Sequence, residues 1–345
     1  MANVSIIVST FNEAKVIERK IKNISQLNYP KDLLEVVVYD DNSTDDTSTI
    51  AEITLKETRL HGTVIHSPSR LGLNRSLNTA IDKAKNNIIC ITDSDVLLDK
   101  DALINAVNVL QECENAGGVT GHIQPVFEGR GVAQTSESSY RDFYHISMLA
   151  ESSLHSAFPG NGPLIVYDKS KVPSKIPNDY GSTDANIAMN IIRHGLRFLY
   201  VPNSIVYEPS PENLGDHQLQ KIRRAKRLLQ VFLRNYDVAL TIKYGSFGHT
   251  IFPLKLLMHA LCPLLLLTGL VLIGLYVALA QNIFLYALAG AILTGTLVLS
   301  IAFKRFGSLL SSFILHQCYL VIGLLSSHRK SVYWKTIDRK TKIKF

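Results

Sequence analysis

Through roughly the first 110 residues, short apolar runs alternate with amphipathic stretches, the pattern of a parallel sheet with crossover helices. VSIIVST reads as a strand, Asn12–Ser25 as a helix and LLEVVVYDD as a second strand. Thr44–Glu57 reads as a helix opened by Ser, Thr and Asp residues suited to capping. GTVIHS gives a short third strand, Leu73–Lys85 a helix, NNIICITDSD a fourth strand and Asp101–Cys113 another helix. Acids or amides follow strands one, two and four, and Arg70 follows strand three. Groups at the same end of successive parallel strands build one crevice, where such sheets bind ligands. The expected fold class is α/β with a mostly parallel central sheet.

The pattern changes near residue 250. Leu256–Ala280 and Ile283–Phe303 are apolar runs long enough to cross a bilayer core of ~30 Å. Buried core helices account poorly for two such runs in succession. Leu309–Leu325 is shorter and carries His316 and Gln317, which suits a re-entrant or interfacial segment. Met1 is followed almost at once by the first strand, with no basic and long apolar leader, so the front domain is expected in the cytoplasm. Cys90, Cys113, Cys262 and Cys318 have neither metal-ligand nor disulfide spacing, which fits a reducing compartment.

The formal net charge of +7 is unevenly placed. Basic residues gather in Lys221–Arg227, at Lys304–Arg305 and in the tail HRKSVYWKTIDRKTKIKF. Beside apolar segments such clusters read as cytoplasmic flanks facing anionic headgroups. No nucleic-acid-binding module accompanies them, so a nucleic acid partner is not expected. Two crossings return the KRFG loop to the cytoplasm; a third would carry the basic tail outside, so either Leu309–Leu325 is re-entrant or interfacial or Gly248–Pro263 holds an extra inserted element, and a cytoplasmic C-terminus is expected.

Asp93 and Asp95 close the fourth apolar run. Residues at i and i+2 of an extended chain point to the same face. Hard oxygens so paired suit Mg²⁺ or Mn²⁺ held together with a diphosphate, since Mg²⁺ usually takes one or two protein carboxylates. Alone, such a triplet is common by chance.

TFNE, YDDNSTDDT, SRLGLNRSLNTAI, ITDSD, GSTDANIAMNIIRHG and QKIRR stand in the order and spacing of a family of enzymes. Over residues 3–230 the chain resembles an inverting, family-2-type glycosyltransferase of GT-A fold, and its apolar C-terminal region resembles the anchor of integral members. The resemblance implies a nucleotide-sugar donor, Mg²⁺ or Mn²⁺, and a single displacement at the anomeric carbon. It implies a GT-A-type nucleotide-sugar-binding catalytic domain over 1–213, an amphipathic interfacial linker over 214–250, transmembrane helices within 251–327 and a basic tail over 328–345.

The resemblance also assigns roles. Thr10, Asn12, Glu13 and Asp41 hold the nucleoside, and Arg70 contacts base or phosphate. A carboxylate only accepts, so Asp41 suits the NH of uracil or guanine better than cytosine. Asp93 reaches the ribose side and, with Asp95, the metal; Asp45 and Asp46 read as helix-capping residues. Asp184 is the expected catalytic base, with Thr183 in place of the family's glutamate. That change removes a negative charge that would raise the base's pKa, and a helix N-terminus would lower it further. Gly160, Asn161 and Gly162 of FPGNGPLIVY are expected to line an acceptor pocket. Gln220, Arg223 and Arg224 match a Gln-x-x-Arg-Trp element, Arg223 facing the diphosphate and Arg224 replacing the indole. Losing that stacking surface argues against polymerising activity. His145, His155 and His194 read as structural.

The resulting expectation is a multi-pass membrane enzyme moving one sugar from a UDP- or GDP-sugar to an acceptor at the cytoplasmic leaflet. The acceptor is a lipid-linked saccharide or glycan. A processive polysaccharide synthase and a catalytically silent nucleotide-binding membrane scaffold remain as alternatives.

Overall fold

The computed structural model describes residues 1–126, 132–209 and 214–328, side chains at 132–140, 214–217, 304–305, 308 and 312 excepted. β1 (Val4–Thr10), β2 (Leu34–Asp40), β3 (His61–His66) and β4 (Ile88–Ile91) pair in parallel. α1 (Ile17–Ser25), α2 (Thr47–Thr58) and α3 (Leu73–Lys83) connect them. Val4, Ile6, Val8, Val36 and Val38 join one core with Ile17, Ile21 and Ile24 of α1. Ile7, Val37 and Tyr39 join a second with Leu77 and Ala80 of α3. Both faces of these strands are therefore covered, as a parallel sheet requires.

β5 (Leu97–Leu98), α4 (Ala102–Glu112), β6 (Ala116–Val126), α5 (Val132–Leu154), β7 (Ile165–Asp168), α6 (Thr183–Arg193), β8 (Arg197–Pro209) and α7 (Leu214–Arg234) follow. The eight-stranded sheet runs β3-β2-β1-β4-β7-β6-β8-β5. β7 is antiparallel to both neighbours, β6 and β8 are parallel, and β5 is antiparallel to β8. The sheet is thus parallel through its first four strands and mixed beyond them. α1 starts at Ile17, five residues later than Asn12, because the intervening residues form a loop tied to the one after β2. β4 ends at Ile91, so Asp93 and Asp95 lie in a turn between β4 and β5, past the extended strand end.

A helix over Phe247–Leu279 begins inside the second core. Phe158, Phe232, Phe247 and Phe252 are each fully buried, with ring centroids 5.3–5.8 Å apart. Burying each phenyl ring is worth about 1.5–3 kcal/mol, enough to weld the helix start to the sheet-bearing body. Val231 and Phe232 of α7 belong to the same cluster, so the core runs unbroken from β1 through residue 252. Beyond Pro263 the helix is exposed, as are Ile283–Ala302, where Phe284 is 81% and Leu293 72% accessible. These two helices are long and apolar enough to cross a membrane.

The helix Lys304–Leu325 returns to the sheet-bearing body. Leu320 is buried with Ala225 and Leu229 of α7 and with Ala260, and Gln230 Nε2 donates to Ser327 O at 2.8 Å. The end of the apolar region thus lies against the same body from which it starts. Residues 329–345 of the basic tail and the side chains of the 304–305 cluster lie outside the described residues.

Candidate active site

The β1 and β2 loops are laced together. Thr10 pairs with Asp40 in register, and its buried hydroxyl has no hydrogen-bond partner among the described residues. Asn12 adopts φ 55°, a left-handed conformation that Asn tolerates better than most side chains. Its backbone NH donates to Ser43 Oγ at 2.9 Å, and its Oδ1 accepts from Thr44 N at 2.8 Å. The Glu13 NH donates to Thr47 Oγ1 at 2.8 Å. Asp45 Oδ1 accepts from Thr47 N at 3.1 Å, closing the start of α2.

Asp41 is buried, and its two oxygens accept from Leu71 N at 2.7 Å and Gly72 N at 2.8 Å. It therefore holds the loop before α3, a duty its sequence context did not announce. Each carboxylate oxygen keeps a second lone pair, so a base NH can still be accepted. In the same loop the Arg70 guanidinium lies 3.7 Å from the centroid of Phe11. A cation over a ring face makes a flat platform beside the β1 and β2 loops.

In the turn after β4, Thr92, Ser94 and Val96 are buried while Asp93 and Asp95 are partly exposed. The burial alternates although the backbone there is a turn and not a strand. Among the described residues no group of three or more His, Cys, Asp and Glu side chains is arranged to hold a metal. Two partly exposed carboxylates nevertheless fit a Mg²⁺ or Mn²⁺ ion whose remaining ligands are diphosphate oxygens and water. Arg223 of α7 is close enough to Asp93 for the two charges to interact. Burial, with Arg224 and Arg227 nearby, lowers the Arg223 guanidinium to about 10, and Asp93 opposes that shift. An anion there is welcome.

Asp184 lies in the first turn of α6 and accepts from Ala185 N at 2.9 Å. Burial around it pushes the carboxyl above the ordinary aspartate range, against the opposing pull of Ser182, the Ala185 NH and the Arg224 and Arg227 charges. Desolvation thus outweighs the lowering effect expected of the helix N-terminus. The preceding turn is fixed by α7: Arg227 Nε donates to Gly181 O at 2.9 Å, Ser182 N to Arg227 O at 3.2 Å and Gly181 N to Gln230 Oε1 at 3.0 Å. Gly181 has φ +71°, and a Cβ on it would meet Val231 Cγ2 at 2.5 Å. Only glycine fits.

Of the expected acceptor residues, Gly160 is beside Asp184: a Cβ there would lie 3.6 Å from Asp184 Cβ and 2.8 Å from the Phe198 ring. Asn161 is buried, with its NH on Thr120 Oγ1 at 2.8 Å and Nδ2 on Gly121 O at 2.7 Å. Gly162 has open space around it. Gln220 is buried on α7. Arg224 donates to Glu208 Oε1 and Arg141 to Oε2, both at 2.8 Å. The residue in place of the indole is thus committed to an ionic cluster near Asp184. His145, His155 and His194 have partners in Tyr200, Ser156 and the Asn190 carbonyl.

Sequence reasoning missed Asn74, Arg227 and Gln230. Asn74 lies within SRLGLNRSLNTAI but has no titrating group to draw notice; it accepts from Thr183 Oγ1 at 2.7 Å and Arg227 at 3.2 Å. Arg227 belongs to the basic run read as a membrane flank, yet it turns inward to the Gly181 carbonyl. The wide reach of the guanidinium lets a helix look basic while its charges face a site.

Comparison with known proteins identifies the family. The family model for Glycosyl transferase family 2 matches residues 5–164, and that for Glycosyl transferase family group 2 matches residues 88–323, more than half of the chain. A probable glycosyltransferase, YdaM of Bacillus subtilis (strain 168), is 32% identical over 36% of this chain and 30% of its own length. A GalNAc(5)-diNAcBac-PP-undecaprenol beta-1,3-glucosyltransferase of Campylobacter jejuni is 29% identical over 41% of this chain and 48% of its own. The chain spans no more than about half the length of these curated relatives. Among solved structures, the mannosyltransferase PcManGT of Pyrobaculum calidifontis, in complex with GDP-Man and Mn²⁺, is 28% identical with a TM-score of 0.78. That match covers 94% of this chain and 86% of the other. On these matches the chain belongs to glycosyl transferase family group 2, its mixed sheet on a GT-A-type fold.

Proposed function

We propose that the protein transfers one sugar from a GDP- or UDP-sugar to a hydroxyl of a membrane-associated acceptor, a lipid-linked saccharide or glycan, at the cytoplasmic leaflet. The observation that carries this reading is the position of α7. One helix brings the Arg223 charge within electrostatic reach of Asp93 and the Arg224 and Arg227 charges within reach of Asp184. It therefore couples the diphosphate side of the crevice to the carboxylate beside Gly160.

In this reading Asn12, Glu13, Asp41 and Arg70 line the nucleoside side, with Thr10 at its floor. Asp95, with Asp93, would hold Mg²⁺ or Mn²⁺, which supplies Lewis-acid stabilisation to the departing diphosphate. Arg223 adds a guanidinium to the same anion. Asp184 takes the proton from the acceptor hydroxyl while that oxygen forms its bond to the anomeric carbon and the carbon–diphosphate bond breaks. The anomeric centre inverts in that single displacement. Gly160 lets the acceptor loop approach the base, while Asn161, Gln220 and Arg224 shape the acceptor side. A raised Asp184 pKa serves a general base, whose proton affinity must be adequate at working pH.

The helices Phe247–Leu279 and Ile283–Ala302 would cross the bilayer and bring lipid-borne acceptors to the crevice. Lys304–Leu325, folded back on α7, would leave the C-terminus on the catalytic side. PcManGT carries GDP-Man in its complex, which makes GDP-mannose the first donor to try.

Nucleotide release by detergent-purified protein tests this across GDP- and UDP-sugars with native membrane lipids and Mn²⁺ or Mg²⁺. Lipid-dependent release with one donor is expected. Release with every donor but no added acceptor, or nucleotide binding without release under any condition, would overturn it.

A further inference from the structure

We propose that Lys20 is a positioning residue for the donor step, holding from beneath the turn that carries Asp93 and Asp95. This rests on the reading of those two carboxylates as the donor-metal pair. Lys20 is fully buried on α1, among Ile17, Ile21 and Ile24. Its ammonium donates to Thr92 Oγ1 at 2.7 Å and to Val96 O at 3.2 Å. These are the residues immediately before Asp93 and immediately after Asp95. One helical turn further on, Asn23 Nδ2 donates to Leu98 O at 2.9 Å and Leu98 N to Asn23 Oδ1 at 2.9 Å. One face of α1 thus fastens the segment at three points, on both sides of the carboxylates.

A lysine is an expensive way to make these bonds. Burying an ammonium costs several kcal/mol, and a Met or Leu would fill the same volume without that cost. Burial lowers the Lys20 ammonium to about 7, while the Asp93 charge acts in the opposite direction. Near neutral pH the amine is thus charged in about half of the molecules, with Asp93 favouring the charged form. Asp93 and Asp95 must stay close together before any metal arrives, and their mutual repulsion would otherwise spread the turn. Charged or neutral, Lys20 can donate to Thr92 Oγ1 and Val96 O, so it ties down the turn and adds a countercharge when protonated. Groups that orient metal ligands without touching the metal commonly matter by about 10–100-fold in affinity.

Lys20→Met tests the proposal, since it keeps the volume and removes the charge. Two readouts are taken on detergent-purified protein: hydrogen exchange of residues 92–98 without metal, and GDP or UDP affinity with and without Mn²⁺. The expected result is faster exchange confined to that segment and about tenfold weaker Mn²⁺-supported nucleotide binding, in line with such outer positions. Thr92→Val, which removes the acceptor hydroxyl and leaves the cation, should move both readouts in the same direction by about threefold, the loss of one hydrogen bond. If either readout is unmoved in a folded Lys20→Met, or in Thr92→Val where Lys20→Met does not fold, the positioning role is wrong. A wild-type nucleotide affinity indifferent to Mn²⁺ would instead defeat the metal reading. Exchange over 92–98 would then still judge whether Lys20 holds the turn.

Discussion

Thr183 gives its hydroxyl proton to Asn74 Oδ1 across 2.7 Å, joining the start of α6 to α3 immediately before the proposed base. The position where family members carry a glutamate is thus occupied by an uncharged link, and Asn74 passes it on to Arg227. Thr183→Val keeps the shape and removes the bond. A loss of about 1–2 kcal/mol is expected, the usual cost of a buried hydrogen bond with one partner left behind. Thermal unfolding of the purified protein measures it.

The raised Asp184 pKa sets the acid side of the pH–rate profile. A base works only when ionised, so activity should fall as pH drops through a value above the ordinary 3.8. Arg224 favours the ionised form, so Arg224→Gln should move that limb to higher pH; kcat/KM against pH reads it directly. The stability sign is the reverse of a salt-bridged aspartate. A carboxyl whose folded pKa is raised costs stability above that pKa and ceases to do so as pH falls through it. Asp184→Asn should therefore be at least as stable as the wild type at neutral pH while losing turnover.

Gly181 and Gly162 make a matched pair of substitutions. Alanine at Gly181 faces both φ +71° and Val231 at 2.5 Å, whereas alanine at Gly162 meets nothing within 4 Å. The first should cost about 2–4 kcal/mol from left-handed strain and overpacking combined. The second should leave the melting temperature unchanged. Similar melting temperatures for both variants would mean that α7 does not pack on the Gly181 turn as described.

Lys255 and Glu151 form a buried ion pair at 2.6 Å, and Glu151 Oε2 accepts from Phe158 N at 2.9 Å. The pair links the helix Phe247–Leu279 to the loop bearing Gly160 and Asn161. Lys255→Met leaves a buried carboxylate without its cation, a change expected to cost about 3–5 kcal/mol. Adding Glu151→Gln should recover part of that loss. A double-variant cycle by thermal unfolding checks it, and additivity would deny the coupling.

Much of this was legible because the signals are periodic or charged. Alternating Val and Ile marked β1 and β2, and the parallel order of the first four strands followed from strand and helix alternation. The two long apolar helices were plain from composition, although the first begins at Phe247, inside the core, where aromatic packing rather than hydropathy decides. The Asp-x-Asp pair could be read, but not its turn, because NNIICIT runs into it without a break in apolarity. The antiparallel entry of β7 between β4 and β6 depends on contacts distant in sequence and left no local trace. Lys20 looked like any helix lysine, since its burial is set by Thr92 and Val96, 72 and 76 residues away. Arg227 was lost in a basic run for the same reason: which face of α7 turns inward is a tertiary fact.

The central claim is that Asp184 acts on the acceptor and the Asp93–Asp95 turn on the donor, and one comparison separates them. Nucleotide-sugar affinity and single-turnover transfer are measured together for wild type, Asp184→Asn and Asp95→Asn. Asp184→Asn should bind donor as the wild type does and transfer at least about 100-fold more slowly, within the range of general-base loss. Asp95→Asn should lose metal-supported binding as well as transfer. Wild-type transfer in Asp184→Asn, or equal donor binding in all three proteins, would contradict the account.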